Sequence, residues 1–374
     1  MNLSCRLAPA LLLAAGLSVV LPAVHAAEDA APAVKSDAVA EAYAALLERD
    51  YVYPEIGRRY AAAIRAGIAA GRYAPLAGDA LATALEGDAQ AVSPDGHLRV
   101  RPPAGAVAPG PVRRMMPDLV AIEQPGWIAP GIAFVRFNLF PDDAAVTAAA
   151  AKFMADHADA RAVIFDIRTH RGGGIDQMDV IFPWLFDKPT RLVTMATRAS
   201  VAETRGSPMD GAASMRPVAG AAGMATREHW ATPNADARLR DAKVYVLTSS
   251  VTGSAAEHFA LAMQHTRRAT LVGAATAGAN HFGGMEDLGG GFLAFIPVGR
   301  TYDPATGKDW EGGGVAPDIA VAPADALVRV LTDLGIGADD AKRLSDAHVP
   351  SAPMERRRGP QRVPAAAGST SPGG

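Results

Sequence analysis

The chain has 374 residues, of which 49% are hydrophobic and 20% charged, with a single cysteine. At roughly 150 residues per domain that is enough apolar sequence for about two folding units, and it excludes a disulfide-stapled mini-protein, a collagen-like fibre and a disordered tail. A formal net charge of −3 lacks the basic excess that releases counterions from a phosphate backbone, so nucleic acid is not an expected partner.

Arg6 precedes an uncharged run from Leu7 to Val24, and Val24-His25-Ala26 supplies the small-x-small pattern of a cleavage site ahead of Glu28 and Asp29. Residues 1–26 therefore read as a secretory signal peptide, which predicts an exported protein, periplasmic or secreted. Pro9, Gly16 and Pro22 interrupt the run and no basic stop-transfer flank follows, so no stable membrane span is expected after signal cleavage. Cys5 would leave with the signal. The mature chain, at a formal charge of −4, would then hold no thiol and would owe its stability to core burial.

Residues 27–100 are predicted to form an N-terminal helical subdomain, from AVAEAYAALLERD, PEIGRRYAAAIRAGIAAG and DALATALEGDAQAV, with Pro54 at a first turn and Gly67, Gly71 and Gly78 near breaks. The stretch RPPAGAVAPGPVRRMMP is too rich in Pro, Gly and Ala for regular elements, and a linker is placed at 101–127. An α/β core is expected over 128–335. It opens with strand GIAFVRF, helix DDAAVTAAAAKFMADHA, strand RAVIFDI, turn RTHRGGG, helix IDQMDVIFPWLF and strand RLVTMAT, an alternation that suggests crossover units on a largely parallel sheet. The Gly-, Ala- and Met-rich insert at 199–230, ending in Trp230, reads as a long loop. The alternation resumes with strand KVYVLTS, helix SAAEHFALAMQHT, strands ATLVG and FLAFIPV, and helix ADALVRVLTDLG. Residues 336–374 read as a C-terminal extension, largely disordered, ending in a basic tail with three consecutive arginines.

In VYVLTSSVTGSAAE a buried strand ends in small polar residues and Ser254 begins a helix, among free backbone N–H groups. Those donors suit an oxyanion, with the Ala255 amide first, if Ser254 attacks a carbonyl. Ser254-Ala255-Ala256-Glu257 is equally an S-x-x-E capping box that needs no catalysis. In AVIFDIRTHRGGG a strand runs into Gly172, Gly173 and Gly174, which either make a tight turn or present further amides to an anion. The G-x-G-x-x-G spacing, the P-loop Lys-Ser/Thr pair, H-E-x-x-H, C-x-x-C and G-x-S-x-G are all absent, so neither a nucleotide, a metal nor an α/β-hydrolase elbow is expected.

A serine nucleophile needs a base, and the histidine count alone does not choose one. His97 stands out in VSPDGHLRV, where a turn meets a strand and Asp95 is close enough to orient it, although a surface or hinge histidine fits the same context. Glu311 in DWEGGGVAPD is an acid on a glycine-rich loop, either solvated or free to orient an imidazole.

Taken together and in order, VIFDIRTHRGGG, VYVLTSSVTGSAAEHFALAMQHTRRATLVGAATAGA and FIPVGRTYDPATGKDWEGGGVAPDIAV resemble the serine peptidase family of tail-specific (C-terminal processing) proteases, the tricorn core protease and the interphotoreceptor retinoid-binding protein. The helical unit is similar to the retinoid-binding-protein-like branch. The resemblance covers most of residues 38–333 and implies an α/β core of the ClpP/crotonase-like kind. It also implies Ser254 as nucleophile and the amides of Ala255 and Gly172 or Gly173 as oxyanion hole. Where processing proteases carry a lysine base in T-x-G-K-G, this chain has Thr276-Ala277-Gly278-Ala279-Asn280, so the resemblance points to a tricorn-like site with His97 as base and Glu311 assisting. Gly96 stands where the tricorn pattern has Ser, leaving Asp95 as the candidate orienter. Too little sequence separates the helical unit from the core for an inserted PDZ domain. The resulting expectation is a peptidase acting on peptides or proteins without a cofactor or metal, with room for a homo-oligomer. A non-catalytic binder of an apolar ligand and a small-molecule esterase or amidase are the rival readings.

Overall fold

The computed structural model describes residues 35–103, 119–207 and 210–355. The expected signal segment 1–26 with Cys5 and the arginine-rich tail lie outside these residues. Among the described residues no helix is long and apolar enough to cross a membrane.

The helical unit is present. α1 (Ser36–Asp50) and α2 (Pro54–Ala69) are joined by Tyr51–Tyr53, and α3 (Gly78–Val92) follows. Pro54 opens α2, where a missing N–H costs nothing. The apolar faces of these helices do not close on themselves. Tyr43, Leu47, Tyr60 and Leu85 share one buried cluster with Leu98, Val100, Ile296 and Val298, so the helices cover a sheet.

That sheet and a second one are built as the chain proceeds. β1 (Arg99–Arg101) is followed by β2 (Ile122–Ala129), β3 (Ile132–Phe137), α4 (Ala144–Asp156) and β4 (Ala162–Asp166). The Asp143 carboxylate accepts the Ala145 N–H at 2.8 Å and so caps α4. α5 (Asp176–Ile181) stops where Pro183 forces a short 3-10 turn. Then come β5 (Thr190–Arg198), α6 (Ala199–Arg205), β6 (Met215–Val218), β7 (Met224–Ala231), β8 (Lys243–Thr248), α7 (Ala255–His265), β9 (Thr270–Gly273), β10 (His281–Gly289), β11 (Phe292–Tyr302), β12 (Ile319–Ala320), α8 (Ala326–Asp333) and α9 (Ala338–Ala347).

The first sheet runs β12-β9-β8-β4-β3-β2, parallel except for the β2–β3 hairpin. Its inner strands read largely as apolar runs because both faces are covered, whereas the edge strand β2 carries Glu, Gln and Pro. In β4, Val163 and Phe165 pack into the cluster that holds Phe259 and Met263 of α7, while Ala162 and Ile164 pack with Leu327 and Leu331 of α8. Two turns at the C-terminal ends of neighbouring strands, after β4 and after β8, thereby come to lie side by side, the usual place for a site on such a sheet.

Four expectations need correction. The sheet is not one parallel sheet: β5 and β11 belong to a second, antiparallel one, ordered β1-β11-β5-β7-β6 with β10 also paired to β11. The insert at 199–230 is not a loop but contains α6 and the β6–β7 hairpin, whose short strands carry Arg, Pro and Glu on an exposed edge and so mask their pattern. The expected linker 101–127 ends inside β2, where Pro125 is tolerated because β2 is an edge strand. The extension from 336 begins with α9, which packs Ala341 and Leu344 into the cluster that holds the apolar face of α8.

Candidate active site

The turn after β8 is stitched to the turn after β4. Ser249 Oγ donates to the Arg168 carbonyl at 2.5 Å, Thr252 Oγ1 to the Ile167 carbonyl at 2.8 Å, and the Gly253 N–H to the His170 carbonyl at 3.0 Å. Beneath it, burial would raise the pKa of Asp166, but ion pairs to Arg168 and Arg136 hold it below the usual carboxylate range. Ser249 and Thr252 of VLTSSVTG are therefore scaffold for Ser254, which follows this stretch.

Ser254 sits at φ 58°, ψ −121°, the first corner of a II′-type turn where glycine is the usual occupant. Ser254 is the N-cap of α7, but its backbone is not the extended one of an ordinary helix cap. Strain of this kind costs about 1–3 kcal/mol and survives only where neighbours enforce it. The first turn of α7 supplies one such neighbour: Glu257 Oε2 accepts the Ser254 N–H at 2.8 Å, the acid half of the capping box.

Gly172 and Gly173 face this corner with φ of 104° and 134°. A side chain on Gly172 would place Cβ 2.8 Å from Ser254 Cβ, and one on Gly173 would strike the Phe140 carbonyl at 1.9 Å. Glycine is thus required twice, once for the approach of the serine and once for the turn itself. The two amides differ. The Gly172 N–H donates to His170 Nδ1 at 3.0 Å, whereas among the described residues neither the Gly173 nor the Ala255 N–H donates to a protein acceptor. His170 can accept this bond because burial pushes its pKa down to about 3, leaving the ring neutral.

Glu257 does more than cap. Buried to the point that its pKa is raised, it accepts Thr276 Oγ1 at 2.6 Å, the Gly278 N–H at 2.7 Å and the Ala279 N–H at 2.9 Å. One carboxylate thus holds Ser254 and the loop 276–280. Gly96 lies on that loop: a Cβ there would be 3.2 Å from Ala279 Cβ and 3.3 Å from Glu311 Oε1.

Glu311 accepts the Gly96 N–H at 2.8 Å through Oε1 and the Asn280 N–H at 2.8 Å through Oε2. It therefore fastens the turn bearing His97 to the loop that Glu257 holds. Asp95 Oδ1 accepts the His97 backbone N–H at 2.7 Å, and its Oδ2 takes Tyr51 Oη–H at 2.8 Å and His281 Nδ1–H at 2.7 Å. The ring of His97 stacks on Phe295 at 5.4 Å between centroids. Burial would raise Asp95 and lower His281, but their mutual hydrogen bond and opposite charges reverse both, so Asp95 is lowered and His281 raised. Asp95, His281 and Glu311 each bring one donor atom within 4.8 Å of the others, a set that could hold a divalent cation if His281 gave up its Nδ1 proton.

Ser254, Ala255 and Gly173 line a pocket of about 40 Å³ together with Ile175, Met195 and His258. Behind His258 runs a buried chain: its Nε2 lies 2.9 Å from His229 Nδ1, His229 Nε2 lies 2.8 Å from Asp179 Oδ1, and Ser214 Oγ donates to Asp179 Oδ2 at 2.7 Å.

The structure thus gathers Ser254, Ala255, Gly172 and Gly173, and links the turn of Asp95 and His97 to them through Glu311 and Glu257. Sequence reading missed His170, His281 and the chain from His258 to Asp179, and it saw Glu257 only as a cap. The capping box was the one signal available for Glu257; His281 and the chain from His258 to Asp179 meet partners far away in sequence.

Of solved structures, a candidate peptidase from Parabacteroides merdae ATCC 43184 superposes with a TM-score of 0.55 at 15% identity, covering 81% of this chain and 98% of that one, which establishes a shared fold. The photosystem II D1 C-terminal processing protease is 23% identical with a TM-score of 0.40, covering 55% of this chain and 47% of its own. The tricorn protease is 15% identical with a TM-score of 0.33, covering 57% of this chain and 18% of its own. The chain accordingly spans about half the length of the D1 processing protease. The profile of peptidase family S41 matches residues 131–321, just over half of the chain and the whole interval from β3 to β12. This chain belongs to peptidase family S41.

Proposed function

We propose that the chain is an exported serine peptidase that hydrolyses peptide bonds with Ser254 as nucleophile, His97 as base and Glu311 as the group that sets the base in place. The observation that carries this reading is the corner at Ser254. A serine is held there in a glycine conformation, against Gly172, with the otherwise unengaged amides of Gly173 and Ala255 lining the same pocket. Backbone strain at a single polar residue beside unused donors is what a reacting centre needs and a helix cap does not.

In this reading His97 removes the Oγ proton as Ser254 attacks the carbonyl carbon, and the tetrahedral oxyanion is received by the N–H groups of Gly173 and Ala255. Collapse expels the amine, which takes the proton from His97, and water repeats the sequence on the acyl-serine. Gly172 contributes room rather than a donor, since His170 occupies its amide. A pocket of about 40 Å³ suits one small side chain and favours peptide hydrolysis over storage of a large apolar ligand. Export rests on the signal-like segment 1–26 alone.

The test is intact-mass labelling by a fluorophosphonate probe of wild type, Ser254→Ala and His97→Ala. A single adduct that requires both residues is the expected result. A folded wild type that takes no adduct overturns the reading and returns the ligand-binding alternative to first place.

A further inference from the structure

We propose that the pocket beside Ser254 is a specificity pocket for a small uncharged polar side chain, a hydroxyl or a carboxamide, on the residue preceding the scissile bond, with His258 as its determinant. This rests on the peptidase reading above. The pocket borders Ser254 and the amides of Gly173 and Ala255, so an acyl group bonded to Ser254 Oγ with its oxygen toward those amides has its α-substituent beside the pocket.

Three lining residues bring polar capacity that the protein leaves unused. Asn280 Oδ1 and Trp310 Nε1 are both buried without a hydrogen-bond partner among the described residues, although Asn280 Nδ2 donates to the Thr301 carbonyl at 2.7 Å. A buried amide oxygen and a buried indole N–H left unmatched each carry a desolvation penalty that a bound group with the complementary atom would remove.

The third is His258, whose proton position the chain behind it fixes. A carboxylate accepts only, so His229 Nε2 carries the hydrogen toward Asp179, and in the neutral ring His229 Nδ1 is left as an acceptor. His258 Nε2 must then be the donor across the 2.9 Å contact, which leaves His258 Nδ1 with a bare lone pair. Burial holds His258 well below the ordinary imidazole range, so the ring stays neutral. Ser214 Oγ, bound to the far oxygen of Asp179, completes the chain.

The lining therefore offers an acceptor at His258 Nδ1 between the apolar walls of Ile175, Met195 and Phe282, with the unmatched Asn280 Oδ1 and Trp310 Nε1–H enclosed within the lining residues. A hydroxyl or carboxamide can both donate and accept, and an aliphatic group can do neither. No Lys, Arg, Asp or Glu lines the pocket among the described residues, so a charged side chain would enter without a counter-charge. At about 40 Å³ the pocket suits short side chains, among the polar ones Ser, Thr and Asn.

The test maps cleavage sites in unfolded casein by mass spectrometry and then compares kcat/KM on peptide pairs that differ only as Thr or Val, and as Asn or Asp, before the scissile bond. Sites preceded by Ser, Thr or Asn, with Thr favoured over its isostere Val by about tenfold or more, are expected, because a site built to hydrogen-bond a group rejects the analogue lacking it. In His258→Leu the Thr:Val ratio should collapse toward unity, and in His258→Gln, which restores an acceptor, it should recover in part. Cleavage after Leu, Phe or Arg, equal rates on Thr and Val in the wild type, or a ratio untouched in both variants would overturn the proposal. So would a wild type that labels with fluorophosphonate yet cleaves neither casein nor the peptides. A wild type that does not label at all fails at the peptidase reading instead, and this proposal falls with it.

Discussion

The amide of Ser254 and the carboxylate of Glu257 meet at 2.8 Å, and the same oxygen receives the Ala279 N–H at 2.9 Å. Glu257→Gln replaces one of two accepting oxygens with an NH₂ that faces the pair of donors this oxygen had received, either the Ser254 and Ala279 amides or the Gly278 amide and the Thr276 hydroxyl. Leaving such buried donors unmatched costs about 1–3 kcal/mol each in the general case, so a loss of about 2–4 kcal/mol overall is expected, visible as a lower midpoint in urea unfolding. Fluorophosphonate labelling should slow in samples shown to be folded. An unchanged midpoint would mean that the carboxylate does not hold the two turns together.

Ser254 carries a cost that a smaller residue would relieve. Ser254→Gly, at φ 58° and ψ −121°, should raise stability by about 1 kcal/mol while abolishing labelling. Ser254→Ala keeps the Cβ in the strained conformation and should abolish labelling with a midpoint close to wild type. A Gly variant less stable than the Ala variant would argue that the corner is relaxed.

The position of the missing lysine is filled. Ala279 is buried beneath Gly96, so Ala279→Lys must bury an ammonium or displace the turn that carries His97. We expect it to cost about 3 kcal/mol or more and to leave His97→Ala unlabelled rather than rescue it, as overpacking and an unpaired buried charge act in the same direction. Restored labelling in the double variant would show that a Ser-Lys site can be rebuilt on this scaffold, against the packing seen.

The Asp95–His281 pair sets a pH window. His281 is raised above its ordinary value of 6.5, so its stabilisation is complete below about that pH and disappears as the pH climbs through the higher folded value. Asp95 is lowered from 3.8, so its contribution is present above about that pH and is lost as the pH falls through the lower folded value. Melting temperature should therefore decline on the alkaline side in the wild type, and His281→Phe should flatten that decline. Parallel profiles for the two proteins would remove His281 as its cause.

Much of this was legible in the sequence where local pattern decides the outcome. The helices α1 to α3, the strand-turn-helix units around Gly172 and Ser254, and the capping role of Glu257 depend on residues a few positions apart. What stayed hidden depends on pairing across the chain. Asp95 was expected to orient His97, and it does bind that residue's backbone N–H, but its other oxygen is committed to His281, a partner 186 positions away. The antiparallel sheet was hidden for the same reason, since β5 and β11 look like any apolar strand until their neighbours are known.

The residues that follow His97, Leu98 and Val100, are anchored in the cluster shared by the helices and β11, whereas Ala255 and Ala256, which follow Ser254, are anchored in the cluster beneath α7. Proposed base and nucleophile thus hang from different hydrophobic centres and meet only when both have consolidated. On the peptidase reading, a chain emerging half-folded would own a serine with nothing to activate it. Proteolytic competence would then be the last property the molecule acquires, and a lesion in the helical unit far from any substrate would silence it while the sheet around Ser254 stayed intact.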